Sequence, residues 1–271
     1  MHTKARSLVS NHPGRRPVTT GGTAPRDGFT LVELLVVIAI ILTLAAVSMA
    51  VFTKMRSRAD NILAISNMRQ IGAAICSFQS DNDHLPMFMD IGVSPALSTN
   101  TPYTHASVLQ PYLGLPEATS KVQYPEIFRA PGLKNDNMGG RKYWYDVTCY
   151  AMYSADHIAP TKAYLPKGVM TDSEGQEVGP FGRYTANGTP TEGWKAAQLD
   201  AAMAKFSAEH GGRIATLSMV PAMFEVNSKY PSIKGGWPWP VPKKPLRVDH
   251  VNVLYFDWRV DSVTPRFFFT Q

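Results

Sequence analysis

The sequence predicts an α+β protein, a long N-terminal helix packed on a C-terminal globular head with an antiparallel β-sheet. Three observations carry this expectation. Residues 34–52 contain no charge, proline or glycine, and at about 1.5 Å per residue that stretch spans about 28 Å, one hydrocarbon core. Neither glycine nor proline occurs from 29 to 71, and beyond the membrane-length stretch apolar residues recur at Ile62, Ile65, Met68, Ile71, Ile75 and Phe78. Steps of three and four mark an amphipathic helix. Near the C-terminus, 248–256 and 259–263 are rich in β-branched and aromatic residues around Asp257-Trp258, the pattern of two strands joined by a turn.

The first element is a candidate transmembrane helix over 29–52. Lys4, Arg6, Arg15, Arg16 and Arg26 precede it, and this basic flank keeps the N-terminus in the cytoplasm and sends the rest of the chain outward. Glu33 is the sole charge between Gly28 and Lys54. An acid within a membrane helix costs about 2.5–3.5 kcal/mol at mid-bilayer, so it needs a partner and marks a functional site by default. Two plainer readings compete. One is a secretory signal peptide cut near Ser48-Met49-Ala50, against which stand the long preceding segment and an apolar run beyond the usual ~7–15 residues. The other is a permanent single-pass anchor with an incidental Glu33. Arg15-Arg16 is followed by Pro17 with no apolar core nearby, which argues against a twin-arginine signal.

The helix continues as an amphipathic segment over 53–80 and ends at Asp81-Asn82-Asp83-His84-Leu85-Pro86, where Asn and Asp suit a terminus and proline cannot continue it. The head then occupies 81–271. Between 86 and 193 the abundance of Pro, Gly, Asn, Thr and Tyr predicts short strands and long loops. A second helix is expected from 192 to 209, with Trp194, Ala197 and Ala201 and the offset Leu199, Met203 and Phe206 at helical spacing and Gly211-Gly212 as the stop. A strand is expected over 214–220, and an irregular link at 235–245 around Trp237 and Trp239.

Composition bounds the function. The formal charge is +6, but residues 1–28 hold five of the 27 Lys/Arg and one of the 21 acids, which leaves 22 basic and 20 acidic residues. That near balance is no footprint for nucleic acid. Cys76 and Cys149 are the two cysteines; in an oxidising exterior they could pair, or both could be buried free thiols. No G-x-S-x-G, H-E-x-x-H, Walker or C-x-x-C motif is present, so no enzyme is expected. Asp249-His250 with Ser262 or Ser218 makes a triad on paper only, because any chain this long supplies such triples.

The order Gly28-Phe29-Thr30-Leu31-Val32-Glu33 after a basic leader resembles the entry signature of the type IV pilin and type II secretion pseudopilin superfamily. The resemblance implies removal of the leader 1–28 by a prepilin peptidase cutting between Gly28 and Phe29, and N-methylation of the new Phe29 amine. It also implies that Glu33 neutralises the Phe29 amine of a neighbouring subunit in a helical fibre. The implied partners are other pilin or pseudopilin subunits, an inner-membrane assembly platform and membrane lipid. Ser66-Asn67-Met68-Arg69-Gln70-Ile71-Gly72 and His250-Val251-Asn252-Val253-Leu254-Tyr255-Phe256-Asp257 further resemble a multi-copy bacterial pseudopilin-like subgroup.

This chain departs from those patterns in four places. It has Ala50 where many members have a helix-bending proline, and Ile65 where the subgroup has a cysteine. Phe128-Arg129-Ala130-Pro131 replaces its Cys-Pro step, and Trp258 its turn glycine. No cofactor is expected, although some members hold Ca²⁺ in a C-terminal loop, the region of Asp257 and Asp261. Asp81-Asn82-Asp83 lacks the glycine and distant glutamate of a calcium loop. The expected function is a structural pseudopilin of a type II-like machine. The alternatives are a type IV pilin for adhesion or DNA uptake, and an anchored binding or hydrolytic ectodomain.

Overall fold

The structure is a computed structural model that describes residues 28–88, 94–134, 143, 149–152, 179–184, 190–209, 220–226, 246–247 and 249–264. Residues 214–219 of the strand expected over 214–220, the Gly211-Gly212 stop and the Trp237/Trp239 link lie outside these residues, and Val220 is a bend. The chain divides into two units, Met1–Phe52 and Thr53–Gln271.

Helix α1 is Leu31–Asn82 and runs unbroken through Ala50. In the first unit its apolar side chains are exposed, from Leu31 at 79% to Phe52 at 69%. The helix there is long and apolar enough to cross a membrane. Its two hydroxyl side chains spend their donors on the helix itself, Thr43 Oγ1 on the Ile40 carbonyl and Ser48 Oγ on the Leu44 carbonyl, both at 2.8 Å. Neither therefore needs water.

In the second unit one face of α1 is buried, through Ala64, Met68, Ile71, Ala74 and Ile75. Ile65 packs partly against the same core. Ile62 departs from the expected stripe and is 68% exposed. The sequence spacing alone could not separate it from Ile65, since both fall within a stripe over 100° wide. Gly72 lets the helix approach the sheet, because a Cβ there would lie 2.9 Å from the Leu254 side chain. The helix stops two residues later than expected. Asp83 takes a left-handed conformation (φ 59°), and Asn82 Nδ2 donates to the Phe78 carbonyl at 2.8 Å, so one otherwise open carbonyl is satisfied.

The sheet order is β1-β4-β5-β6, with β1 Tyr150–Met152, β4 Pro221–Glu225, β5 Val251–Tyr255 and β6 Val260–Val263. Every pairing is antiparallel. Central strand β5 is buried along its whole length. Leu254 joins the main core beside Met68 and Ile71, while Val251, Val253 and Tyr255 form a second cluster with Phe224 and Val263. This is the alternation of a strand covered on both faces. The β5–β6 hairpin forms despite the missing turn glycine. Trp258 accepts a φ of 64°, a strain of about 1–2 kcal/mol for a residue with a Cβ, and its ring packs edge-on against Phe256 at 6.3 Å.

Strand β4 is not among the elements expected from the sequence; directly after the strand expected over 214–220, it opens with Pro221. The proline is tolerated as the first residue of the strand, beside an irregularity in register between Pro221 and Met223. A smaller ladder joins β2 Arg183–Tyr184 to β3 Pro190–Thr191.

Helix α3 is Ala196–Glu209 and starts four residues later than expected. Trp194 is committed to the backbone of two other segments, its N–H to Pro180 at 2.8 Å and its carbonyl to Leu85 at 2.9 Å. Gln198 Oε1 then caps the Lys195 N–H at 2.7 Å. Leu199, Ala202 and Met203 face the core, whereas Ala197 and Ala201 are exposed.

The loop-rich stretch also contains a short helix, α2 His105–Leu109, which begins at the Thr104 cap. His105 is fully buried and stacked on Phe88 at 4.0 Å, and its Nδ1 accepts from the Ser94 N–H at 3.1 Å. Burial pushes its pKa from 6.5 down to about 3. Unfolding therefore takes up a proton between those values, so the stabilisation is whole above pH 6.5 and is lost as pH falls towards 3. The expected slope is up to about 1.4 kcal/mol per pH unit. His105→Phe should flatten the stability difference between pH 7 and pH 5 in urea unfolding; an unchanged difference would assign the acid limb to another group.

Candidate functional site

The N-terminal residues that the sequence marked form a compact local structure. Thr30 is the residue before the first turn of α1. Its N–H and its Oγ1 both donate to Glu33 Oε2 at 2.8 Å, and the Glu33 N–H donates back to Thr30 Oγ1 at 3.2 Å. This reciprocal pair is a capping box, in which two otherwise open N–H donors are satisfied at once. A carboxylate in the first turn also meets the positive end of the helix dipole. Glu33 therefore has a structural reason to be where it is, one that reasoning from misplaced charge overlooked. The signal was present in the sequence as Thr30-x-x-Glu33.

Gly28 and Phe29 have no such local explanation. A Cβ at Gly28 would meet nothing within 4 Å, so the fold does not require glycine there. Phe29 is 83% exposed, with its ring unused in the core.

The second cluster lies in the head and centres on a buried ion pair that the sequence reading missed. Glu225, at the end of β4, and Arg247 have side chains only 3% and 5% exposed, with Arg247 Nε 3.3 Å from Glu225 Oε2. Arg247 Nη2 donates to Glu225 Oε1 at 3.3 Å and to the Asp60 carbonyl of α1 at 3.1 Å. The Asn252 N–H donates to Glu225 Oε2 at 3.3 Å, and Asn252 Nδ2 donates to Asn61 Oδ1 of α1 at 2.9 Å. Burial pushes the Glu225 carboxyl above its ordinary range, against the opposing pull of Arg247 and the Asn252 N–H.

His250 is a hydrogen-bonded structural residue here. Its Nδ1 lies 2.8 Å from Asp249 Oδ1 and its Nε2 lies 3.2 Å from Asn61 Oδ1. The paper triad does not assemble, since Ser262 Oγ donates to Asn252 Oδ1 at 2.6 Å. Ser218 lies outside the described residues. Asp257 and Asp261 both turn to Arg259. Asp83 meets Lys195 at 3.4 Å, which suits a helix terminus. Among the described residues no group of three His, Cys, Asp or Glu is placed to hold a metal ion. Cys76 is exposed and Cys149 buried, and no disulfide joins them. Burial pushes the Cys149 thiol up to about 12, a protonated and unreactive form.

Known proteins match the N-terminal segment. Residues 24–49 match the family described as the prokaryotic N-terminal methylation motif. A similar protein is the type IV major pilin protein PilA of Myxococcus xanthus (strain DK1622), 40% identical over 73 residues, which cover 26% of this chain and 33% of the pilin. The chain thus spans about a third of the length of that relative. No solved structure matches significantly. The N-terminal segment is similar to that of type IV pilins, and the long apolar helix is followed by an antiparallel sheet, a pilin-like α+β arrangement.

The buried pair yields a stability prediction. Arg247→Met leaves Glu225 buried without its cation and should cost about 3–5 kcal/mol. Adding Glu225→Leu should restore much of that loss, read as the urea midpoint of each variant. A double variant no more stable than Arg247→Met would show that packing and not charge holds this site together.

Proposed function

We propose that this chain is a pseudopilin, a structural subunit of a type II secretion-like pseudopilus. In this reading a prepilin peptidase cuts between Gly28 and Phe29, and the Phe29 amine is methylated. The chain is stored in the inner membrane as a single-pass protein with 29–52 as the span, the N-terminus in the cytoplasm and the head outside. Its N-terminal helix then assembles with other pilin or pseudopilin subunits on a membrane platform. The observation that carries this reading is the order Gly28-Phe29-Thr30-Leu31-Val32-Glu33 at the head of an exposed, membrane-length helix. A glycine that the fold does not need and a phenylalanine that the core does not use are what an external protease and a packing partner would require.

Glu33 has two duties in this reading. Within the subunit it caps α1. In the assembly its charge answers the Phe29 amine of a neighbour, because a cation and an anion in hydrocarbon each need the other. A type IV pilin is the second reading, favoured by the similarity to a major pilin. The balanced charge of residues 29–271 argues against DNA uptake as its task.

Two measurements test the proposal. The mature protein made alongside a prepilin peptidase should begin at methylated Phe29 by mass spectrometry; any other N-terminus overturns the assignment. Glu33→Gln then separates the two duties, since glutamine also serves the third position of a capping box. The variant should insert and be cleaved normally, yet assemble on the order of a hundredfold less or worse, because about 3–5 kcal/mol of charge pairing is lost. Normal fibres from Glu33→Gln would remove the amine pairing from the mechanism.

A further inference from the structure

A groove of about 550 Å³ opens in the second unit between the outer part of α1 and the residues before β5. Lys54, Arg58 and Ile62 line it from one stripe of the helix, four residues apart and therefore on the same face. Ser57 adds a hydroxyl beside the two cations. The opposite wall is His250, held by Asn61 on one ring nitrogen and Asp249 on the other. No ion pair joins Lys54 or Arg58 to another described residue. Two cations beside a hydroxyl and an exposed isoleucine form a site for an anion that carries its own apolar part.

We infer that this groove holds the phosphate of an anionic phospholipid headgroup, an inference that rests on the membrane-anchored reading above. The argument for a lipid is one of position along a helix. The headgroup layer on each side of the hydrocarbon core is about 5–8 Å thick. Lys54 follows Phe52 by two residues and Arg58 by six, about 3 Å and 9 Å of helix rise. The two cations thus bracket the level at which lipid phosphates lie, and their long stems let the charged ends adjust to it. Ile62, left out of the core at 68% exposure, gives the glycerol and upper acyl carbons an apolar surface. Asp249 also lines the groove, but its carboxylate is engaged by His250 Nδ1 at 2.8 Å.

The test uses the full chain in detergent, examined by native mass spectrometry with phosphatidylglycerol, phosphatidylcholine or inorganic phosphate as the probe. Phosphatidylglycerol should be retained on the order of tenfold better than phosphatidylcholine, and millimolar inorganic phosphate should not displace it. Lys54→Gln with Arg58→Gln should abolish the preference, while Arg56→Gln with Arg69→Gln, two charges on α1 outside the groove, should keep it. Equal loss in both pairs would show a general positive field and overturn the site. Displacement by inorganic phosphate would make the ligand a free anion, with the same consequence. If the groove variant keeps its lipid but loses crosslinking between copies, the groove is a subunit contact and the inference fails. Alkaline extraction of the same membranes keeps the two proposals apart. A chain released by carbonate sinks the anchored reading itself, whereas an embedded chain without lipid preference sinks only the groove.

Discussion

A carboxylate carried into the interior on a strand has to be answered, and the answers given to Glu225 hold the head together. Arg247 supplies the charge, and the Asn252 N–H supplies a further hydrogen bond. Both partners also reach α1, Arg247 through the Asp60 carbonyl and Asn252 through Asn61. Adjacent residues of one helix turn are thus tied to β4, β5 and the segment before β5. Apolar packing alone would let a smooth helix face slide on a sheet. Directional bonds from Asp60 and Asn61 admit one register, and Gly72 against Leu254 sets how close the helix comes. A buried pair is weak evidence for net stability; what this one supplies is position.

The parts of this architecture that were legible in the sequence are those with a long repeating pattern. The helix was readable because 52 residues of α1 offer many turns over which a stripe can recur. The last hairpin was readable because β-branched residues flank a short polar turn. What escaped were elements whose pattern is short or borrowed from elsewhere in the chain. Strand β4 has five residues and opens with Pro221, and its ladder depends on β1 and β5, tens of residues away or more. The start of α3 depends on Trp194 being claimed by Pro180 and Leu85. Glu225 could have been noticed as a lone acid inside the apolar run Pro221-Ala222-Met223-Phe224-Glu225-Val226. Its partner Arg247 could not, since it lies 22 positions further along the chain with no pattern that links the two.

At the N-terminus the balance differs. Gly28, Phe29 and Glu33 are all readable as a motif, and the capping role of Glu33 is carried by the separate local signal Thr30-x-x-Glu33. Thr30 resolves what looked like a misfit. An acid at the mouth of a helix is favoured by the open N–H groups there, so Glu33 is at home in the isolated subunit. On the proposed reading the helix start lies at the membrane, where the cap offsets only part of the cost of the charge, and that remaining cost grows as other helices pack around it. That is the condition under which a neighbouring amine would be worth most.

The two glutamates therefore represent opposite uses of the same side chain. Glu225 is bound by partners from distant segments, and changing any of them disturbs the head. Glu33 accepts only from Thr30, three residues away, and nothing in the described core depends on that bond. A carboxylate has room for about four hydrogen bonds. Glu33 accepts two, both at Oε2, so an incoming amine can add to the cap without dismantling it. A residue that meets its own structural need locally and still has acceptor capacity could, on the proposed reading, be re-partnered between monomer and polymer with little cost to the fold. Substitutions at Glu33 should accordingly divide by what they remove, with the charge governing assembly and the oxygen governing the first turn of α1.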